Sequence, residues 1–352
     1  MADPKAKNIL IIGGGAVGAI AALNLEAGGL ATVTAVLRSN FEVVNEFGYD
    51  ISSCDHGVLK GWKPSQVLSA VPNLAASNLP PYDYIILTTK NIPDIPPSLP
   101  SLLLPSLSPK NTRTVLLLLQ NGLNIERPFH ATFPTTPILS GVSLIGSTET
   151  RPGTIIQADH DRLLIGAFPS PDSTSPIAES EAATAAAEDF VRIYRAAGKT
   201  SCSHSPLVAR DRWRKLVYNA CLNPICAITG LDTGRIRLAD NAITSLLQPA
   251  MAEIVAAAKA KGVVLDAEVI ENTIHMDPLE LYLSPSMLAD VRKSNFLEFE
   301  NLVGEPLREG TALGVPMPTL TVLYNLCKAI QWRIKVTRGM VEIPPQRKDP
   351  GN

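Results

Sequence analysis

A surplus of charge of either sign is missing: 31 Lys and Arg stand against 33 Asp and Glu in 352 residues, a formal net charge of −2. No overall positive field exists to hold a nucleic acid or an anionic membrane, so neither is expected as a partner. Cysteine is scarce and odd in number (Cys54, Cys202, Cys221, Cys226, Cys327), with no CxxC spacing. That argues against a disulfide framework and a zinc knuckle and fits free thiols in a reducing compartment. His56, His130, His160, His204 and His275 show no HxH, HxxxH or HExxH spacing, so no metal is expected. A G-x-S-x-G elbow is also absent, which weakens a hydrolase reading.

Long apolar runs are lacking too. Lys5 and Lys7 before the apolar residues 9–25 could imitate a signal peptide, but Gly13-Gly14-Gly15 interrupt the run and Asp3 sits among the lysines. No other stretch reaches the roughly 18 to 20 apolar residues of a membrane span. Lys348-Asp349-Pro350-Gly351-Asn352 carry no lipidation or retention signal, and a cytoplasmic location is expected. No internal repeat is visible.

What is present is an alternation of strand and helix patterns. Asn8 to Ile12 reads as a strand buried on both faces, followed by a helix from Ala16 to Ala27 that Gly28-Gly29 close, then by a strand from Ala31 to Leu37. Tyr84 to Thr88 and Thr114 to Leu119 are further buried strands. Between them lies Ile92 to Pro109 with six prolines, where a crossover helix would be irregular or broken. Pro169 to Ser175 marks an exposed loop, and Glu179 to Ala197 an alanine-rich helix. Thereafter the pattern is helical, with candidates at Arg212 to Ile228, Ala242 to Lys261, Ser286 to Leu313 and Thr319 to Val336. The fold class expected is an α/β Rossmann-type dinucleotide-binding domain followed by an all-α C-terminal domain. The boundaries expected are 1–206 for the first, 207–340 for the second and 341–352 for a frayed tail.

Gly13-Gly14-Gly15-Ala16-Val17-Gly18 matches G-x-G-x-x-G between a strand and a helix, the setting that dinucleotide binding needs. Gly13 allows the tight turn, Gly15 the approach of a pyrophosphate to the backbone, and Gly18 close packing of helix on strand. The second strand ends in Val36-Leu37-Arg38-Ser39-Asn40, with no carboxylate for a ribose 2′-hydroxyl. Arg38 offers a planar charged fork to a 2′-phosphate and Ser39 a second donor, so NADP(H) is expected, the other reading of Arg38 being a solvated surface residue. Lys90, in Thr88-Thr89-Lys90, and Asn121, in Gln120-Asn121-Gly122, follow the next two strands at the edge where ligands bind.

Lys215, Asn219 and Asn223 recur at i, i+4 and i+8, which on one helix makes a polar stripe drifting by about 40° per step. Such a stripe is usually a solvated face, but asparagine is a poor helix former and a solvated face favours Glu, Gln and Lys. Ser286 and Glu298 read most simply as an N-cap and a surface carboxylate. On one straight helix they would lie about 18 Å apart along the axis, and they share a small ligand only if the chain bends near Lys293-Ser294-Asn295.

Together the GGGAVGA loop, Arg38, TTK, QNG, the K-x3-N-x3-N-P run and the S-M-L-x-D-V-R…E segment resemble the ketopantoate reductase (2-dehydropantoate 2-reductase) family, from about residue 8 to residue 330. The resemblance implies that a Rossmann domain binds NADPH and a helical domain closes over a small 2-oxo acid. The reaction it implies reduces ketopantoate to (R)-pantoate, toward pantothenate and coenzyme A. By the same resemblance Lys215 is the catalytic lysine and Glu298 the carboxylate that holds the substrate hydroxyl. Asn219, Asn223 and Ser286 match substrate-binding positions, and Lys90 and Asn121 the cofactor–substrate junction. Helical domains of such enzymes often pair as homodimers. A family asparagine after the stripe is replaced near Thr233, with Arg235 and Arg237 beside it, which leaves substrate identity less secure than reaction type. A reductase of another 2-oxo acid and an NADPH-binding regulator without chemistry remain as alternatives.

Overall fold

Twelve strands occupy the first part of the described chain: β1 (Lys7–Ile12), β2 (Ala31–Val36), β3 (Tyr49–Ser53), β4 (Gly57–Trp62), β5 (Gln66–Leu68), β6 (Tyr84–Leu87), β7 (Val115–Leu118), β8 (Ile138–Ser143), β9 (Ser147–Arg151), β10 (Thr154–Gln157), β11 (Arg162–Ala167) and β12 (Ser201–His204). Eight of them form one sheet in the order β12-β11-β8-β7-β6-β1-β2-β5, parallel throughout except between β8 and β11. A smaller sheet has the order β4-β3-β10-β9. The computed structural model describes residues 6–77, 79–108, 113–168 and 176–345. The loop expected at Pro169 to Ser175, and residues 346–352 of the expected tail, lie outside them. The chain divides into two units, Met1–Asp211 and Arg212–Asn352, and the division falls inside the helix Val208–Asn219.

The four expected strands are four adjacent interior ones, β7-β6-β1-β2. Side chains alternate across a strand, so β1 sends Ile9 and Ile11 to one face and Leu10 and Ile12 to the other. The first pair packs with Ala21, Ala22 and Leu25 of the helix Ala16–Ala27 and with Phe190 and Ile193 of the helix Pro176–Tyr194. The second packs with Leu103, Leu107, Ile125, Phe129 and Phe133. With both faces covered, β1 is apolar from Ile9 to Ile12, which is what made it visible as a run. The smaller sheet was not expected. Its Tyr49, Ile51 and Ile155 cover the far side of the helix Ala16–Ala27, against Ala19, Ile20 and Leu23. Among the described residues of the proline-rich crossover only Leu99–Leu103 is helical, opened by Ser98, whose hydroxyl accepts from the Ser101 N–H.

The second unit is helical in its described residues, but two of the expected helices are interrupted. The segment expected as one helix from Arg212 to Ile228 is two, Val208–Asn219 and Leu222–Thr229. Pro224 has no N–H for the Ala220 carbonyl and its ring would collide with that carbonyl, so the helix cannot continue through it. The Cys221 N–H turns back to Tyr218 instead, and the second helix starts with Ile225 bonded to Cys221. The segment expected from Ser286 to Leu313 ends its first helix at Arg292 and resumes only at Glu300. Between them Ser294 takes a left-handed conformation, φ +52°, placing the bend where the sequence required one. The last helix, Pro318–Thr337, has its N-terminus capped by buried Glu253, whose carboxylate accepts the N–H groups of Thr319 and Leu320, both at 2.8 Å. No helix among the described residues is long and apolar enough to cross a membrane.

A Cβ at Gly18 would overlap the Gly13 carbonyl oxygen and press on the Thr88 hydroxyl. Gly18→Ala should therefore force the helix off the strand and lower stability by about 1–3 kcal/mol in denaturant titration. An unchanged midpoint would mean that this close packing is not under constraint.

Candidate active site

The carboxyl ends of β1, β2, β6 and β7 share one edge of the large sheet, and they are followed by Gly13, Arg38, Lys90 and Asn121. Gly13 turns the chain at φ +120°, a conformation open to glycine. Gly15 is the N-cap of the helix Ala16–Ala27 and supplies no side-chain cap, so the first-turn N–H groups of Ala16, Val17 and Gly18 are left for another partner. The carbonyls of the loop, by contrast, are taken. Thr88 Oγ1 donates to the Gly13 carbonyl at 2.9 Å, while Asn40 Nδ2 and the Tyr49 hydroxyl donate to that of Gly14 at 2.7 and 2.9 Å. Asn40 also donates to Glu149 at 2.8 Å. Burial, reinforced by the Glu149 charge, raises the Tyr49 pKa and keeps its hydroxyl a donor.

These loop clamps, Asn40, Tyr49 and Thr88, were not singled out from the sequence. Thr88 and Asn40 stood inside quoted segments, but Tyr49 had no signal because its strand was unseen. Gly15 is exposed, and a Cβ on it would touch nothing within 4 Å. No atom of this chain requires glycine there, whereas a phosphate laid against the helix N-terminus does. Arg38 and Ser39 are both exposed just beyond β2. Gln120 Nε2 donates to the Thr89 carbonyl at 2.7 Å and Thr89 Oγ1 at 3.1 Å, tying the end of β7 to that of β6 beside Asn121 and Lys90.

In the second unit the interruption at Ala220 and Cys221 overturns the single-helix stripe, yet its asparagines still meet. Asn223 Nδ2 donates to Asn219 Oδ1 at 3.2 Å, and Asn223 Oδ1 accepts from the Ser286 hydroxyl and the Met287 N–H, both at 3.4 Å. Ser286 is the first residue of its helix and not the N-cap, which is Pro285. Glu298 is buried, 9% exposed, correcting the surface reading. The N–H of the preceding Leu297 donates to Oε1 of buried Gln331 at 2.9 Å, which fixes the segment carrying Glu298 against the helix Pro318–Thr337.

Lys215 is half-buried, and its ammonium is pushed down to about 8. Burial is the main cause, the Arg212 guanidinium adds repulsion, and the Glu298 carboxylate pulls the other way. Arg212, itself buried, was not singled out from the sequence because an arginine beside a helix start usually reads as surface. The two arginines at the departure near Thr233 are engaged internally. Arg235 pairs with Asp232 and lies 4.5 Å from the Tyr282 ring centroid, and Arg237 donates to the carbonyls of Ile274 and Asp277 at 3.2 and 2.7 Å.

Two family models match the chain, one described as ketopantoate reductase PanE/ApbA over residues 9–170 and one as its C-terminal part over residues 207–331. An uncharacterized protein of Saccharomyces cerevisiae is 37% identical, covering 95% of this chain and 96% of its own length. The crystal structure of 2-dehydropantoate 2-reductase from Methylococcus capsulatus is similar at 30% identity and TM-score 0.71, covering 93% of this chain and 97% of that one. D-mandelate dehydrogenase, solved with NADH and anilino(oxo)acetate, shares the fold at 21% identity and TM-score 0.76, with coverage of 93% and 99%.

Gly15→Ala separates the two demands on the loop. Its thermal midpoint should stay at the wild-type value, since the added methyl meets only open space, while dinucleotide affinity by calorimetric titration should fall at least tenfold, about 1.4 kcal/mol. Undiminished affinity would show that no phosphate lies against this residue.

Proposed function

The chain belongs to the ketopantoate reductase family, and from that premise we propose that it reduces the 2-oxo group of ketopantoate to (R)-pantoate with NADPH as reductant. Family members are oxidoreductases acting on 2-oxo acids. The observation that carries the reading for this chain is the half-buried Lys215 between a cation, Arg212, and a buried carboxylate, Glu298. A lysine poised near neutral pH in this way suits proton transfer better than a surface ammonium does.

The first unit fits a dinucleotide. The exposed Gly15 backbone and the free first-turn N–H groups suit the pyrophosphate, and Arg38 with Ser39 suits a 2′-phosphate where no carboxylate competes for the ribose. When bound, the reduced nicotinamide supplies the hydride. Asn219, Asn223 and Ser286 form a hydrogen-bonded set suited to holding the 2-oxo acid. Lys90 and Asn121 stand at the ligand-binding edge of the sheet, as junction residues should. As the carbonyl carbon is reduced, negative charge gathers on its oxygen, and the Lys215 ammonium stabilises that charge and delivers the proton. Glu298 accepts a hydrogen bond from the substrate hydroxyl and favours the charged form of Lys215.

The decisive assay is oxidation of NADPH and of NADH by the purified protein with ketopantoate and a panel of other 2-oxo acids. Turnover confined to ketopantoate is the expected result. Activity only on another acid would transfer the assignment to a different 2-oxo acid, and dinucleotide binding with no turnover would leave a regulator. Arg38→Ala should reduce kcat/KM for NADPH about 10- to 100-fold, the value of a charge-assisted contact, with little change for NADH.

Lys215→Ala should lower kcat by about 10² to 10⁴, roughly 3 to 5 kcal/mol, with NADPH affinity nearly unchanged; retained turnover rejects Lys215 as the acid. The reaction needs the protonated lysine, so the rate of reduction should fall as pH rises through about 8. Glu298→Gln removes the charge that holds the proton on, and the falling limb should move to lower pH. A limb that stays in place would show that Lys215 does not titrate under the influence of Glu298.

A further inference from the structure

The smaller sheet brings two short segments together that lie more than a hundred residues apart in sequence. β3 and β10 run parallel with Ser53 opposite Gln157, so Cys54-Asp55-His56 and Asp159-His160-Asp161 leave the sheet side by side. The Ser53 hydroxyl donates to Gln157 Oε1 at 2.6 Å and the Cys54 N–H to the Gln157 carbonyl at 3.1 Å, fixing their relation. Tyr49 at the start of β3 reaches the Gly14 carbonyl, and Cys54 stands beyond the other end of that strand, about 16 Å along it from Tyr49.

At this end the Asp55 side chain is only 3% exposed. Its Oδ2 accepts from Gln157 Nε2 at 2.5 Å and from the Asp161 N–H at 2.9 Å. That leaves Oδ1 turned to His160 Nδ1, 2.5 Å away. One donor atom each from Cys54, Asp55 and His160 lies within 4.8 Å of the others. Zinc bonds of about 2.0 to 2.3 Å in a tetrahedron separate their donors by roughly 3.4 to 3.6 Å. Cys54 and His160 are exposed, so a small rotation of His160 can widen its 2.5 Å contact with Oδ1, and one of Cys54 can bring the sulfur to bonding range, around the fixed carboxylate.

We propose that Cys54, Asp55 and His160 form a binding site for one Zn²⁺ ion, with water as the fourth ligand. A sulfur, an imidazole nitrogen and one carboxylate oxygen form a donor set for zinc or cobalt, not for calcium or magnesium. Gln157 and the Asp161 N–H are the outer partners that hold the carboxylate in position. Binding sends the thiol proton into solvent and leaves the imidazole proton on Nε2, so that Nδ1 is open to the ion, and the ion joins the β3–β4 turn to the β10–β11 loop. Sequence spacing gave no sign of this because its ligands come from separate segments, and the expectation of no metal rested on spacing within one segment.

The test is titration of the full-length, chelator-treated, reduced protein with Co²⁺ in the absence of nucleotide, followed by displacement with Zn²⁺. One cobalt per chain should bind with a sulfur-to-cobalt charge-transfer band that stoichiometric Zn²⁺ abolishes and excess Mg²⁺ leaves intact. Cys54→Ser should remove the band, and His160→Gln should weaken Zn²⁺ binding at least about tenfold. The other four cysteines are buried, so a band that persists in Cys54→Ser overturns the proposal, provided the thermal midpoint shows the variant folded. Absence of a band at millimolar Co²⁺, or full Zn²⁺ affinity in His160→Gln, overturns it equally.

Discussion

The contact on which the first unit depends is the one between Gly18 and the carbonyl of Gly13. With no side chain at Gly18, the helix Ala16–Ala27 starts directly where β1 ends, and its N-terminus lies at the edge of the sheet. The neighbours of β1 then hold the connecting loop: Thr88 from the end of β6, Asn40 from beyond β2, and Tyr49 from the smaller sheet. Each donates to a loop carbonyl, so the acceptors of the loop are satisfied by the protein and the helix N–H groups are what remain for an anion. The smaller sheet acts in the same arrangement, covering the outer face of the helix and supplying the tyrosine.

In the second unit the corresponding constraint is Pro224. It breaks the helix just after Asn219, and the turn so formed still lets Asn223 bond back to Asn219 and across to Ser286. A continuous helix would have aligned the asparagines by repetition alone; the broken one joins them by a hydrogen bond and fastens both to the helix Ser286–Arg292. Lys215 sits one turn before Asn219, where burial and Arg212 act against its charge and Glu298 acts for it. Burial is the largest of the three, so the lysine is held close to losing its proton, and an anionic carboxylate arriving beside it and Arg212 would strengthen its hold.

How much of this was legible in the sequence follows from which surfaces are buried. Aliphatic runs made β6, β7 and most of β1 stand out, and these with β2 were read with ends within one residue, whereas β8, buried at every position, was missed because Ser140, Gly141 and Ser143 interrupt its run. Strands with one solvated face did not stand out: β4 has no buried residue and β9 alternates between partly and fully exposed positions. The glycine loop was legible because its meaning depends on neighbours in sequence. Arg212, Gln331 and Tyr49 were not, since each acts on a residue brought near only by folding. The helix stripe was misread for a related reason: periodicity was given more weight than the proline at its end, although a proline at Pro224 already forbids the hydrogen bond a continuous helix needs there.

The departure from the family pattern near Thr233 bears on the substrate. Arg235 and Arg237 bring two positive charges into that region, and a free guanidinium there would favour an acid with a second carboxylate. Arg235 instead lies against Asp232 and Tyr282, and Arg237 serves the carbonyls of Ile274 and Asp277 at the end of the helix Val269–Ile274. Thr233 is buried, with its N–H bonded to the Leu283 carbonyl. Both arginines are thus engaged within the chain, an arrangement in keeping with the proposed substrate, which carries one carboxylate and a neutral hydroxyl. In the proposed reaction, recognition of that carboxylate would fall to the groups around Lys215 and to the linked amides of Asn219 and Asn223.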